Sequence, residues 1–436
     1  MKVRSELMKI MVIGGGGREH AIIKKLKTSP LCEKIYALPG NGGISTDAEC
    51  VGISAEDVSG IVDFAVKNKI DFAVVAPDGA LAAGTVDALN EKGIKCFGPD
   101  KKAAEIESSK VFAKELMKKY GIPTADYEVF SSPGAAVEYI KSRGKYPVVI
   151  KADGLALGKG VIIAKDEDEA CLAVRSIMND RIFGESGARI VVEEFLTGPE
   201  VSVLSFTDGK TLVPMVSSMD HKRAYDGDKG PNTGGMGTVA PNPLYTGEIQ
   251  SYCMEKIFMP TVRAMSEMGR PFKGCLYFGL MLTDEGPKVI EYNSRFGDPE
   301  TQVVLPLLQG DLLEIMTAVS DGTLDKCELS FSQKSAACVI IASGGYPGHY
   351  EKGKVISGID KAENSGAFVY HAGTALSEKG GFVTSGGRVL GVTYVGDTLE
   401  KAIDGAYNAA EKISFEGAFM RSDIGKRALG FEESEK

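Results

Sequence analysis

Along the first hundred positions, apolar residues fall into two alternating patterns. Short runs at 9–14, 34–38 and 72–77 are almost wholly hydrophobic, and the stretches 19–27, 56–68 and 80–92 between them repeat apolar residues at helical spacing. Strand–helix alternation with short loops predicts a doubly wound parallel sheet, with ligands at the carboxyl ends of its strands. A helix over 108–120 leads out of this unit and stops at Gly121-Ile122-Pro123. Next, the runs 127–130, 148–152, 160–164 and 189–195 predict the strands of a smaller α+β segment containing two helices. A helix is predicted over 248–268, followed by a hairpin of strands 274–283 and 288–293 turning at Asp284-Glu285-Gly286-Pro287. From Ser335 the pattern changes to short β-like runs, glycine-rich turns and a helix near 399–413. The expected fold class is multidomain α/β, with boundaries near 8–107, 108–320 (enclosing the small segment 124–195) and 330–430.

Composition narrows the function classes. At roughly 150 residues per domain, 436 residues agree with about three domains. Hydrophobic residues make up 43% and charged ones 25%, enough for packed cores and incompatible with wholesale disorder. Fifty basic against fifty-nine acidic side chains give a net charge of -9, which argues against a nucleic-acid binder but allows a local basic pocket. The eight cysteines form no CxxC or CxxH pair, as expected of free thiols in a reducing compartment. No apolar run approaches the ~18 residues of a membrane span, and the run 10–13 is too short for a secretion signal. A cytoplasmic enzyme without membrane partners is expected, with 1–7 as an extension before the first strand.

Several segments can carry chemistry. Gly14-Gly15-Gly16-Gly17-Arg18-Glu19-His20 lies between a strand and a helix, where bare amides and Arg18 suit an anion or make a tight turn. Glu19 stands where a dinucleotide fingerprint has its third glycine, so a dehydrogenase is not supported. Lys151 ends an apolar strand, and a loop with Gly154, Gly158, Lys159 and Gly160 follows; it either closes over phosphates or is a solvated turn. Glu193-Glu194-Phe195-Leu196 ends another strand, with Glu200 just beyond; its edge could read an adenine and Glu200 could accept from ribose hydroxyls. Glu291, Asn293 and Arg295 alternate at period two and share one face. Glu and Asn oxygens suit a hard cation carrying phosphates, and Arg295 adds a fork for phosphate or carboxylate. The glycine-rich stretch 220–237 is long enough for a lid or a linker, and His221 within it is a base or a structural hydrogen-bonding group. The other histidines are too scattered for a metal triad.

Taken together, IGGGGREHA, VIKADGLALGKGV, EEFLTGPEVS, DHKRAYDGDKGPNTGGMG, EYNSRFGDPETQ and TSGGRVLGV resemble the ATP-grasp ligases. Among these the chain is most similar to the branch joining glycine to 5-phosphoribosylamine in purine synthesis. The segments keep that order over nearly the whole chain. The resemblance implies an N-terminal parallel-sheet domain, an ATP-grasp core with a small α+β lid, and a C-terminal β-rich domain. It implies that ATP is bound by Lys110, Lys151, the loop from Gly154 through Gly158 and Lys159 to Gly160, the strand end Glu193, Glu194, Phe195 and Leu196, and Glu200. By the same resemblance Glu291 and Asn293 hold Mg²⁺ or Mn²⁺. Arg295 and Asp298 would sit where the substrate carboxylate meets the γ-phosphate, forming the catalytic set with Lys151. Gly15, Gly16, Gly17 and Arg18 would take the 5-phosphate, with Asp78, Asp220 and Lys222 as further substrate contacts. Partners would be the small molecules glycine, 5-phosphoribosylamine and ATP, and the protein a monomer or weak dimer. Two departures stand out: 275–283 offers no acid where many relatives place one, and Asp78 stands where Glu is common. A carboxylase of the same pathway would share the ATP half, and a non-catalytic nucleotide sensor would lack the metal pair.

Overall fold

The computed structural model describes residues 7–156 and 160–434. Its first sheet contains β1 (Met8–Gly14), β2 (Cys32–Pro39), β3 (Glu49–Cys50), β4 (Phe72–Val75) and β5 (Lys95–Phe97) in the order β3-β2-β1-β4-β5, all parallel. Helices α1 (Gly17–Leu26), α2 (Val58–Asn68), α3 (Asp78–Ala83) and α4 (Thr85–Glu91) connect them. Residues on both faces of β1 are buried, as a parallel sheet covered on both sides requires. The chain leaves β1 toward β2 on one side and β4 on the other. The carboxyl end of β1, where the four glycines sit, is therefore the switch point of the sheet. The predicted helix 80–92 is two helices: Gly84, at φ +93°, ends α3 and opens α4.

A helix the pattern did not anticipate, α5 (Lys101–Ser108), precedes α6 (Lys110–Tyr120), the helix expected over 108–120. Ser109 separates them, its hydroxyl accepting the Phe112 N–H. An antiparallel sheet follows, from β6 (Tyr127–Phe130), β7 (Val148–Ala152), β8 (Val161–Ala164) and β9 (Ile190–Glu194), in the order β6-β9-β7-β8. Helices α7 (Pro133–Arg143) and α8 (Glu167–Val174) bury Ala136, Ile140, Ala170 and Val174 against its Val148, Ile150, Ile190 and Val192.

Strands β10 (Glu200–Asp208) and β11 (Leu212–Pro214) begin a second sheet. Next in the chain are β12 (Met219–Asp220), β13 (Arg223–Tyr225), β14 (Lys229–Asn232) and β15 (Gly237–Ala240). The predicted helix 248–268 consists of α9 (Gly247–Cys253) and α10 (Met259–Glu267), joined by a wide turn over Met254–Phe258. Pro260 has no N–H to donate, and the widened turn precedes it. Strands β16 (Lys273–Thr283) and β17 (Gly286–Asn293) then complete the sheet β11-β10-β16-β17. Its hairpin turns one residue earlier than predicted, with Pro287 already opposite Leu282.

Strands Ser335–Ser343, Arg388–Gly396 and Phe368–His371 build the C-terminal sheet, covered by a helix at Leu399–Ala410. β15 pairs with Ser335–Ser343, and β12 pairs with β15. The stretch 219–240 thus joins the C-terminal sheet although it lies between β11 and β16 in sequence. The predicted long loop within it holds the β13–β14 hairpin. A final helix, Lys426–Ser434, was not anticipated. No helix among the described residues is long and apolar enough to cross a membrane.

Candidate active site

Two adjoining charge clusters contain most of the residues singled out from the sequence. The first lies between the two antiparallel sheets. Lys151, on β7 and only 5% exposed, sets its ammonium 3.0 Å from Glu193 Oε2 and donates to the Ile290 carbonyl at 3.1 Å. Lys114 sits 3.1 Å from the same carboxylate oxygen. Burial, more than Glu193 can offset, pushes Lys114 down to about 8. Two ammonium groups share one carboxylate, so the cluster carries surplus positive charge. Lys110 donates to the Gly154 carbonyl at 2.9 Å, and burial lowers its pKa against the pull of Glu291. Lys222 reaches Glu200 at 3.3 Å and Glu291 at 3.7 Å. Burial opposes ionisation of Glu291, but Lys222, Lys151, Lys110 and Arg295 outweigh it and hold its carboxyl below the usual range. Glu194 accepts the Asp126 N–H and lies 3.6 Å from Lys288, while Phe195 is exposed beside a half-buried Leu196. Gly160 accepts the Ala152 N–H at the far side of the loop, whose Gly158 and Lys159 lie outside the described residues.

Glu291 and Asn293 lie side by side at the end of β17, as period two predicts, with Arg295 just beyond. Arg295 Nη2 donates to Asn293 Oδ1 at 3.5 Å and pairs with Glu107 at 2.9 Å. Opposite Glu291 across the sheet is Gly279, which has no side chain to offer. Among the described residues there is no group of three or more His, Cys, Asp or Glu placed to hold a metal. A cation here would draw one carboxylate and one amide oxygen from the protein and the rest of its ligands from phosphates and water, a donor set that fits Mg²⁺-like ions.

The second cluster surrounds a cavity of about 430 Å³ at the switch point, lined by Gly14, Gly15, Gly16, Arg18, Asp298 and Arg388 among others. A side chain at Gly15 would collide with the Gly40 carbonyl, so only glycine fits. Gly16 N–H donates to Glu19 Oε2 at 2.6 Å, and Gln302 bonds Asp298 Oδ1 at 2.7 Å next to Gly17. Arg18 donates to the Phe296 carbonyl, and its Nε stands 4.0 Å from Asp298. Arg388 pairs with Asp298 Oδ2 at 3.3 Å and binds the Asp298 and Gly234 carbonyls. Burial opposes ionisation of Asp298, yet Arg388 and Arg18 hold it below its ordinary value. Asp298 therefore faces the glycine loop, apart from the Arg295–Glu107 pair. Asp78 opens α3 nearby, and its charge supports that of Arg295. Asp220 is half-buried on β12, and burial first, then Glu300, raises its pKa well above its ordinary value. The sequence reading missed Arg388, Glu107 and Lys114. For Lys114 a signal existed, since it falls four residues after Lys110 on one helical face.

His221 has a structural role. Its Nε2 accepts the Gly425 N–H at 3.2 Å while Nδ1 faces the Gly237 carbonyl at 3.2 Å. Burial, then the nearby Arg421, pushes its pKa down to about 4. The unfolded chain takes up this proton near pH 6.5 and the folded one only near 4. Stability from this group is therefore complete above 6.5 and falls with pH, by about 2 kcal/mol at pH 5. The melting-temperature gap between wild type and His221→Gln should narrow from pH 7 to pH 5; an unchanged gap contradicts the assignment.

A doubly wound sheet with a glycine-loop cavity, facing lysines and acids held between two antiparallel sheets, defines an ATP-grasp ligase. The chain belongs to the phosphoribosylglycinamide synthetase family. That family's N domain matches residues 8–107, its ATP-grasp (A) domain 108–301 and its C domain 336–427. The chain is 51% identical over 417 residues to phosphoribosylamine–glycine ligase of Caldanaerobacter subterraneus, covering 96% of this chain and 99% of that one. Against the same enzyme of Halalkalibacterium halodurans the identity is 48%, covering 97% of each. The crystal structure of phosphoribosylamine–glycine ligase from Thermotoga maritima superposes with a TM-score of 0.83 at 34% identity, covering 95% and 100% of the two chains. The biotin carboxylase domain of Hydrogenobacter thermophilus 2-oxoglutarate carboxylase (TM-score 0.72, 20% identity, 96% and 92% covered) shares the fold. This chain is an ATP-dependent ligase.

Proposed function

We propose that this ligase joins glycine to 5-phosphoribosylamine, forming glycinamide ribonucleotide, ADP and phosphate in purine biosynthesis. The observation that carries the reading is the cavity at the glycine loop, with Arg18 and Arg388 on its wall, beside a lysine-rich cleft holding Glu291 and Asn293. A free carboxylate is a poor electrophile, so a glycine oxygen first attacks the γ-phosphoryl group, releasing ADP and leaving glycyl phosphate. The amine of phosphoribosylamine then attacks the carbonyl carbon, and phosphate leaves as the carbon–nitrogen bond forms. Neither step needs a protein nucleophile; positioning and charge neutralisation carry both.

In this assignment Lys110, Lys151 and Lys222 neutralise the triphosphate, and the strand end Glu194 to Leu196 with Glu200 receives the nucleoside. Glu291 and Asn293 would hold a divalent cation, Mg²⁺ or Mn²⁺, which when bound supplies further neutralisation of the phosphates. Arg295 orients the glycine carboxylate. Gly15, Gly16, Gly17, Arg18 and Arg388 receive the 5-phosphate, and Asp298, held ionised between two arginines, accepts from the sugar-side substrate. The small antiparallel sheet would close over ATP and keep water from the acyl phosphate. The test is ADP release by pure protein with each component omitted in turn. ADP is expected only with ATP, a divalent cation, glycine and phosphoribosylamine together; equal turnover with bicarbonate in place of glycine moves the assignment to a carboxylase.

A further inference from the structure

We infer that Glu107 is a positioning residue for the ligase reaction, acting through Arg295 and the end of β17. It rests on the assignment of Arg295 above. Glu107 lies near the end of α5, the helix that leads from the parallel sheet into the ATP-binding half, and is 9% exposed. Both its oxygens are committed to one short segment. Oε2 accepts the Ser294 backbone N–H at 2.8 Å and the Ser294 hydroxyl at 2.7 Å, while Oε1 pairs with Arg295 Nη2 at 2.9 Å.

Ser294 and Arg295 directly follow Asn293, so this one carboxylate fixes both the backbone at the end of the cation-facing strand and the guanidinium beyond it. Few other partners restrain that guanidinium. Nη1 makes a 3.4 Å bond to the Phe296 carbonyl, Nη2 a 3.5 Å bond to Asn293, and Nε has no partner although it is buried. Bonds of that length are weak beside the 2.9 Å charge-assisted pair. Of the acids around the buried guanidinium, Glu107 is the one that pairs with it directly. Without Glu107 the fork would be free to swing toward Glu291, and the cation-binding carboxylate would be occupied by its neighbour. The chain crosses from the sugar-phosphate half to the ATP half at α5, so Glu107 also ties the geometry of the two together.

Glu107→Gln tests this. The amide keeps the size of the side chain but must turn a donor toward either Ser294 N–H or Arg295. Turnover should fall ten- to a hundredfold and the Mg²⁺ concentration for half-maximal rate should rise, with KM for ATP changed less than threefold. Arg295→Gln is the reference: in its background Glu107→Gln should cost clearly less than in the wild type, the remainder being what Glu107 does through Ser294. Guanidinium added to Arg295→Ala should restore part of the rate, and should restore none in Glu107→Gln/Arg295→Ala. A purely structural Glu107 would lower the melting temperature of all variants alike and leave the Mg²⁺ demand and the rescue unchanged. Full activity in Glu107→Gln with an impaired Arg295→Gln overturns the inference alone. Full activity in Arg295→Gln overturns the Arg295 assignment and the inference with it.

Discussion

Glu291→Gln is expected to lower turnover by about two to three orders of magnitude, the usual cost of removing a preorganised electrostatic group, and to raise the divalent-cation requirement. Glu291 lies among four cations: Lys222 at 3.7 Å, with Lys151, Lys110 and Arg295 further off. An incoming metal ion enters this positive field only because Glu291 offsets part of it. The amide keeps the shape and one oxygen but leaves the field unbalanced. No second acid stands opposite, because the facing residue is Gly279, and a side chain there would press on the Glu291 methylenes at 3.0 Å. Asn293→Ala, which removes a neutral oxygen, should cost less. Steady-state rates over a Mg²⁺ series, with melting curves of the ligand-free variants, measure both effects. A near-normal rate for Glu291→Gln at unchanged Mg²⁺ demand places the metal elsewhere.

The part of this arrangement legible in the sequence is local. An apolar run broken by four glycines and followed by helical spacing places Gly14–Gly17 at the turn from β1 into α1. Period two places Glu291 and Asn293 on one face whatever the rest of the chain does. Arg388 belongs to a different kind of information. Its partner Asp298 is 90 residues away, and Gly234 is 154 away. Their meeting depends on β12 and β15 joining the C-terminal sheet, a pairing with no local signature. Polar composition also misdirected the reading of 220–237. Strands β13 and β14 are short and β14 is exposed throughout, so no apolar alternation marks them. Order comes instead from the chain's far end: Arg421 binds the Asp228 carboxylate and the Arg223 carbonyl, and Asp226 accepts the Ser422 N–H. A segment that reads as a lid or a linker is thus held down in this structure.

The same distinction governs Lys151. The strand pattern showed that a lysine sits at the end of a buried run, but not that Lys114 would compete with it for Glu193. That sharing makes the outcome of Lys151→Ala specific. Removing one member of an isolated buried ion pair leaves an uncompensated charge and costs ~3–5 kcal/mol of stability. Here Glu193 keeps Lys114 at 3.1 Å, so the carboxylate stays paired and the fold should survive with a smaller loss. The Ile290 carbonyl loses its 3.1 Å donor, a cost nearer that of an ordinary hydrogen bond, about 1 kcal/mol. What disappears is the surplus positive charge that an ATP phosphate would meet. A charge-assisted contact of about 1.5–3 kcal/mol corresponds to a roughly ten- to hundredfold loss in ATP affinity. Glu193→Ala should do the reverse, leaving two buried ammonium groups without a counter-ion and lowering stability more than Lys151→Ala does. Calorimetric titration with ATP and thermal unfolding of both variants check the pair of outcomes. Unchanged ATP affinity in Lys151→Ala, with the fold intact, would remove Lys151 from the phosphate site.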